Sequence, residues 1–171
     1  TLMIEKDCPG ISFGAQEKKM GWNSQPTAQV IFEDCRVPVK NLLGKEGDGF
    51  KIAMKGLDGG RLNIAACSLG TAQSAFERAV EYVGDREQFG NKLQDFQSIQ
   101  FKLADMATEL EASRLMLRSA AVKVDENAPD KTKSAAMAKR FVTDLGFKIV
   151  NEALQIHGGY GFTKDFPVEK F

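Results

Sequence analysis

Arg86, Gln88 and Gly90 lie within one short stretch, DREQFG (85–90). They bring together a forked cation, an amide and an unobstructed backbone. That set suits phosphate or pyrophosphate oxygens, because a guanidinium can give two parallel charge-assisted hydrogen bonds. A second stretch, QIHGGYG (155–161), sets Gln155, Ile156 and His157 before Gly158 and Gly159. Paired glycines let a backbone approach a ligand closely. A third, GLDGGRLNIA (56–65), places Asp58 before Gly59 and Gly60, and Arg61 after them. Its surroundings read as one long helix, where each glycine costs roughly 1 kcal/mol relative to alanine. Something must need the missing side chains. A helix–helix crossing would. So would a ligand whose bulk lies against this turn and whose polar groups meet the flanking charges. The first two stretches have a plainer reading too: each can be a helix C-terminus, where the dipole favours a cation and glycine stops the helix.

Ordinary catalytic sets do not occur. The only histidine is His157, directly before the Gly-Gly pair. No Ser/His/Asp or Cys/His set is evident, and no His/Cys/Asp cluster has metal-ligand spacing, so no metal site is expected. GGYG lacks the Lys-Ser/Thr of a phosphate loop and the glycine spacing of a dinucleotide-binding turn. Cys8, Cys35 and Cys67 are odd in number, which suits a reducing compartment and argues against a disulfide framework. Lys+Arg and Asp+Glu balance at 23 each; without a basic field, no nucleic-acid partner is expected. No apolar run approaches the roughly 20 residues that span a bilayer.

The elements that must position these residues fall in two parts. Up to about Pro38 the chain is strand-like: TLMIEKD and AQVIFEDCRV are short apolar segments, with CPG and WNSQPT as turns. Two or three strands make no stable sheet alone, so they are expected to complete a larger one. From about Glu46 the period becomes helical. Asp48 is a candidate cap, and Phe50, Met54, Leu57, Ile64, Ala72, Phe76, Val80 and Val83 form the expected inner stripe. A second helix runs from about Phe96 to Val124. Its seam, Phe96, Ile99, Leu103, Met106, Leu110, Ser113, Leu117, Ala120 and Val124, steps by three and four throughout, as in antiparallel bundles. Pro129 ends it and Asp130 can cap a third helix, with stripe Ala135, Ala138, Val142, Leu145, Ile149, Ala153 and Ile156. Gly158 and Gly159 stop that helix, and TKDFPVEKF offers the start of a fourth. The expected fold is mainly α: residues 41–171 as an up-and-down four-helix bundle, residues 1–40 as a few strands of an incomplete β-domain. The chain opens in an apolar run already under way and closes on a beginning helix, so the expectation is a segment of a longer protein.

Taken in order, these stretches resemble the acyl-CoA dehydrogenase family of flavoproteins. KKMGWNSQPTAQVIFEDCRVP (18–38) is similar to the end of that family's middle β-domain, with its F-E-D-x-x-V-P exit. GKEGDGF (44–50) resembles the entry to the C-terminal domain. DREQFG, LADM (103–106) and QIHGGYGF (155–162) resemble three further signatures. The likeness covers nearly the whole chain, and GWNSQPT, GGRLNIA and CSLG (67–70) are most similar to a short branched-chain member.

The resemblance implies α,β-dehydrogenation of an acyl-CoA thioester with FAD as cofactor. A carboxylate takes the α-proton, the β-hydrogen leaves as hydride to the flavin, and electrons pass to electron-transferring flavoprotein. It implies a homo-oligomer, dimer or tetramer, in the mitochondrial matrix of a eukaryote or the cytoplasm of a bacterium. Residue by residue, Arg86 and Gln88 would meet FAD phosphates, with Phe89 against the cofactor, across a subunit interface. Gln97 would be a further FAD contact. Gln155, Ile156, His157, Gly158 and Gly159 would approach its adenosine side. Asp58, Gly59, Gly60 and Arg61 would line the acyl-CoA pocket. One departure matters. Some members carry the catalytic glutamate where Gly60 stands here, and the family's other location for it is a loop beyond Phe171. No catalytic base is therefore expected among these residues. The alternatives are a non-catalytic helical module acting through protein partners, and an acyl-CoA oxidase, which shares the fold and passes electrons to oxygen.

Overall fold

The computed structural model describes all 171 residues, Thr1–Phe171. They form two compact units, Thr1–Ala53 and Met54–Phe171. In the first, strands β1 (Ile11–Phe13) and β2 (Val30–Phe32) pair antiparallel, with Ile11 opposite Phe32 and Phe13 opposite Val30. TLMIEKD is not a strand of its own. It makes one isolated bridge, Leu2 to Leu42, with the Met3 amide donating to the Asn41 carbonyl at 2.9 Å. A two-stranded ribbon has little to bury its faces against, and Phe13, Val30 and Phe32 remain exposed.

Three long helices carry the rest: α1 (Gly49–Asp85), α2 (Gln97–Asp125) and α3 (Lys131–Ile156). Between α1 and α2 stands a minimal hairpin of β3 (Glu87–Gln88) and β4 (Asn91–Lys92). The anticipated fourth helix is represented by a 3-10 turn over Pro167–Lys170, with its proline in the first turn. No helix is long and apolar enough to cross a membrane.

The core of this second unit joins Ala72, Ala75, Ala79 and Val83 of α1 to Met106 and Leu110 of α2, Ile149, Ala153 and Ile156 of α3, and Val168. The seams expected on α2 and α3 are the observed ones, except that on α3 Leu145 is only half-buried and its neighbour Gly146 is buried. Met106, Leu110, Ser113 and Ala120 are buried on α2, and Ala135, Ala138, Val142, Ile149, Ala153 and Ile156 on α3. The stripe expected on α1 is not. Of its members only Ala72 and Val83 are buried, whereas Met54, Leu57, Ile64 and Val80 are 40–44% exposed. The buried row is instead Ala65, Ala72, Ala75, Ala79 and Val83. Small residues let helix backbones approach closely, so bulk is the wrong guide there. The closeness is visible at Gly146 of α3, where an added Cβ would stand 3.4 Å from the Ser68 carbonyl oxygen.

One polar detail differs from expectation: Asp130 does not cap α3 through its side chain. Its carboxylate accepts from Lys123 at 2.6 Å and from the Ser134 hydroxyl at 3.3 Å, and the Lys123 hydrogen bond holds it below the usual carboxylate range. The Ser113 hydroxyl, the one polar group in the α2 seam, is buried with no hydrogen-bond partner. An unsatisfied buried polar group costs about 1–3 kcal/mol. Ser113→Ala is therefore expected to raise the unfolding free energy by about 1 kcal/mol, read as a higher urea midpoint at unchanged slope.

Candidate functional site

The last turn of α1 and the end of α3 meet around Arg86. The Arg86 amide donates to the Tyr82 carbonyl at 2.9 Å, and the Leu93 amide donates to the Arg86 carbonyl at 2.9 Å. Its backbone is thus fixed by the end of α1 on one side and the hairpin on the other. Phe89 and Gly90 turn that hairpin with φ of 54° and 78°, the left-handed pair that matches strand twist in a two-residue turn. The glycine takes this conformation freely. Phe89 takes it at a cost and projects almost wholly into solvent, 91% exposed. Gly90 therefore turns a hairpin; it does not stop α1, which ends at Asp85.

The Arg86 guanidinium lies 5.2 Å from the centre of the Tyr160 ring, within cation–π range. It makes no ion pair and no hydrogen bond to the chain, so its donors remain available. Beside it, His157 is 3% exposed and stacks on Tyr82, ring centres 4.3 Å apart and 23° from parallel. Its Nδ1 is 2.8 Å from the Ala153 carbonyl oxygen. A carbonyl only accepts, so Nδ1 carries a hydrogen. The Tyr82 hydroxyl donates to the His157 carbonyl at 3.3 Å, and Phe166 meets both rings edge-on. His157 thus has a structural duty: it closes the last turn of α3 and braces Tyr82 next to Arg86. Gly158, with φ of 57°, ends the helix as expected. A side chain at Gly158 or Gly159 would meet nothing within 4 Å, whereas at Gly161 a Cβ would fall 2.5 Å from the Leu154 carbonyl oxygen. Gly161 is required by packing; the preceding pair stands open.

Six of the nine expected cofactor contacts, Arg86, Gln88, Ile156, His157, Gly158 and Gly159, line one cavity of about 490 Å³. Two motifs some 70 residues apart in sequence are brought together there. Phe89, Gln97 and Gln155 are exposed outside it. An adjoining cavity of about 500 Å³ shares Tyr82, Arg86, His157 and Tyr160 and adds Arg78. The sequence motifs include neither Tyr82 nor Arg78. They precede Arg86 by four and eight residues, so continuing its i, i+4 row up the helix finds both. A donor set of one free guanidinium, an amide and an open glycine backbone, walled by aromatic rings, fits a phosphate-bearing cofactor. No group of three or more His, Cys, Asp or Glu side chains is placed to hold a metal ion.

The turn Asp58–Arg61 is elsewhere. Asp58 is buried. Its carboxylate accepts from Arg61 at 2.8 Å and from the Thr132 hydroxyl, at the start of α3, at 2.7 Å. Both oxygens are engaged, so Asp58 ties α1 to α3 and is not left free for a ligand. Gly59 and Gly60 have no neighbour within 4 Å of an added Cβ, which excludes a helix crossing within this chain as the reason for either. Thr132 and His157 stand at opposite ends of α3. At 1.5 Å per residue the two clusters are separated by about 38 Å.

The Acyl-CoA dehydrogenase, C-terminal domain family matches residues 47–171. Mitochondrial isobutyryl-CoA dehydrogenase of Dictyostelium discoideum is 56% identical over 170 residues, covering 99% of this chain and 41% of its own length. The solved structure of butyryl-CoA dehydrogenase from Megasphaera elsdenii superposes with a TM-score of 0.95 at 47% identity, over 99% of this chain and 44% of that one. A chain from the structure of the electron transferring flavoprotein of Acidaminococcus fermentans gives 0.94 at 50% identity, over 99% and 44%. The chain thus spans about two fifths of the length of the relatives it matches.

Proposed function

The chain belongs to the acyl-CoA dehydrogenase family, and from that premise we propose that a family-length protein carrying it oxidises a short, branched acyl-CoA to the 2-enoyl-CoA. FAD, when bound, supplies the acceptor for the β-hydrogen. The observation that carries this reading is the cavity where the unpaired Arg86 fork meets Gln88 and the open pair Gly158–Gly159. Arg86 would take two phosphate oxygens, Gln88, whose amide donates one N–H to the Glu87 carbonyl at 2.7 Å, would give its second N–H, and the glycines would let the backbone approach the adenosine side. Phe89, held out on its hairpin, would press on the cofactor from beyond the cavity, with Gln97 and Gln155 at its margins.

At the other end of the unit, Gly59 and Gly60 would keep the surface of α1 low where the thioester lies. Arg61, one third exposed and using one nitrogen on Asp58, has further donors for a polar group of the substrate. With glycine at 60 and both Asp58 oxygens occupied, this turn has no carboxylate free to take the α-proton. That task would fall to a glutamate outside these residues.

The separation of about 38 Å supports an oligomer. On this reading Gly60 would lie at the thioester and Arg86 at the cofactor phosphates, and within one chain the two stand about 38 Å apart. We assign the two contacts to different subunits of a homodimer or tetramer, with electron-transferring flavoprotein as the onward acceptor. In a eukaryotic cell the compartment would be the mitochondrial matrix; in a bacterium, the cytoplasm. Sedimentation of the family-length protein at micromolar concentration is expected to give dimers or larger, and a clean monomer would remove the cross-subunit role of Arg86. The function itself is tested by anaerobic mixing of the FAD-loaded protein with isobutyryl-CoA. Bleaching of the flavin within the first turnover is expected. A flavin that stays oxidised with every short acyl-CoA would overturn the reading.

A further inference from the structure

Cys8 and Cys35 are 27 residues apart in sequence, yet their Sγ atoms lie 3.5 Å from each other. Gly10 makes this possible. Its φ is +89°, and a Cβ there would fall 2.3 Å from the Glu33 carbonyl oxygen and 2.9 Å from the Cys35 backbone nitrogen. The Glu33 amide donates to the Gly10 carbonyl at 2.8 Å, and the Ile11 amide to the Cys8 carbonyl at 3.2 Å. The two sulfurs therefore sit just beyond the Ile11–Phe32 pair, across the open end of the β1–β2 ribbon. Both thiols are half-buried and neither is in a disulfide. Cys8 also lines a cavity of about 420 Å³, walled in part by Glu5, Asp7, Arg36 and Lys40. An odd cysteine count concealed this pair, which only the closed ribbon reveals.

We propose that Cys8 and Cys35 form a reversible dithiol–disulfide couple, closed by a small-molecule disulfide of the glutathione class that reaches Cys8 through the neighbouring cavity. The Cys8 thiolate attacks one sulfur of that disulfide and expels the other half as a thiolate, leaving a mixed disulfide on Cys8. The Cys35 thiolate then attacks the Cys8 sulfur, forming the Cys8–Cys35 bond and releasing the second small thiol. Two electrons pass from the protein sulfurs to the small disulfide, and the two thiol protons end on the two released thiols. No metal or further oxidant is needed. The sulfurs must close by roughly 1.5 Å to reach bonding distance. Closure links the segments on either side of the ribbon. Its rate should rise with pH, since only the thiolate attacks. The Cys8 thiol is held above its usual range first by the hydrogen bond with Cys35, then by burial and the charges of Asp7 and Glu5, with Arg36 and Lys40 as the facing cations.

The test treats the full-length holoenzyme with oxidised glutathione at neutral and at mildly alkaline pH, then denatures it in an alkylating agent and maps the peptides by mass spectrometry. The expected product is a Cys8 peptide joined to a Cys35 peptide within one chain, two hydrogens lighter than the sum, formed faster at the higher pH and reopened by dithiothreitol. Exposed Cys67 should be found alkylated or carrying glutathione, never joined to Cys8. In the Cys35→Ser protein, Cys8 should stop at the mixed disulfide, which traps the first step even if the ribbon is perturbed. Recovery of Cys8 and Cys35 as alkylated thiols or as separate glutathione adducts in the unmutated protein would overturn the proposal. So would a Cys35→Ser protein whose Cys8 takes up no glutathione.

Discussion

Gly60→Leu is expected to slow single-turnover flavin reduction by roughly a hundredfold or more, while the FAD-free protein melts at the same temperature or higher. The two halves of this result come from different causes. A leucine at that position meets no atom of the chain within 4 Å of its Cβ, and leucine favours a helix over glycine by roughly 0.8 kcal/mol. Folding therefore gains or is indifferent. On the proposed reading catalysis loses, because a displacement of about 1 Å in a reacting group can cost a hundredfold, and a leucine on the surface assigned to the thioester displaces it by more than that. A helix-packing role gives the opposite pair of outcomes. If Gly60 is kept small for another segment of protein, Gly60→Leu lowers the melting temperature of the FAD-free protein and leaves the intrinsic chemistry of the surviving fraction intact. Differential scanning calorimetry of the FAD-free protein, paired with anaerobic stopped flow of the loaded one, separates the two.

Arg86→Ala is the second large effect, and it should fall on the cofactor. The guanidinium contributes a cation–π contact to Tyr160 at 5.2 Å and no ion pair, so removing it costs the folded chain roughly 0.5–1 kcal/mol at this half-exposed position. The loss in FAD affinity should be about 1.5–3 kcal/mol, the worth of a charge-assisted hydrogen bond, or about 10- to 150-fold in Kd. Arg86→Lys keeps the charge and loses the planar fork, so its Kd should lie between the two. Equal FAD retention by all three proteins through dialysis would reduce Arg86 to the cation at the end of α1.

What could be read from the residues alone depended on how each surface is made. The α2 seam, and Val142, Ile149 and Ile156 on α3, carry bulky side chains in helical period, and burial follows them; Ala135, Ala138 and Ala153 are found by continuing that period along α3. On α1 the buried row is alanine, and alanine offers too little hydrophobic contrast to mark a face against Met54, Leu57 and Ile64. Those residues stay exposed on the structured chain. The hairpin at 87–92 was illegible because a phenylalanine occupies a left-handed position that propensity assigns to glycine or asparagine. From sequence Asp58 reads as a charge flanking the glycines; its partner Thr132 lies 74 residues on, a distance no local pattern spans. The Arg86 site was legible in its parts. That they face one cavity depends on α1 and α3 ending side by side, which the bundle topology supplies and the motifs do not.

The central claim is that the end of α1 and the end of α3 together hold the dinucleotide. Hydrogen exchange compared between the FAD-free and FAD-loaded family-length protein reads it directly, amide by amide. Slower exchange is predicted on loading over the hairpin at 86–92 and over 158–163, whose glycines stand open in the chain, with the α2 seam from Met106 to Ala120 unchanged. Identical exchange in both segments, while the flavin absorbance shows the cofactor bound, would contradict the account.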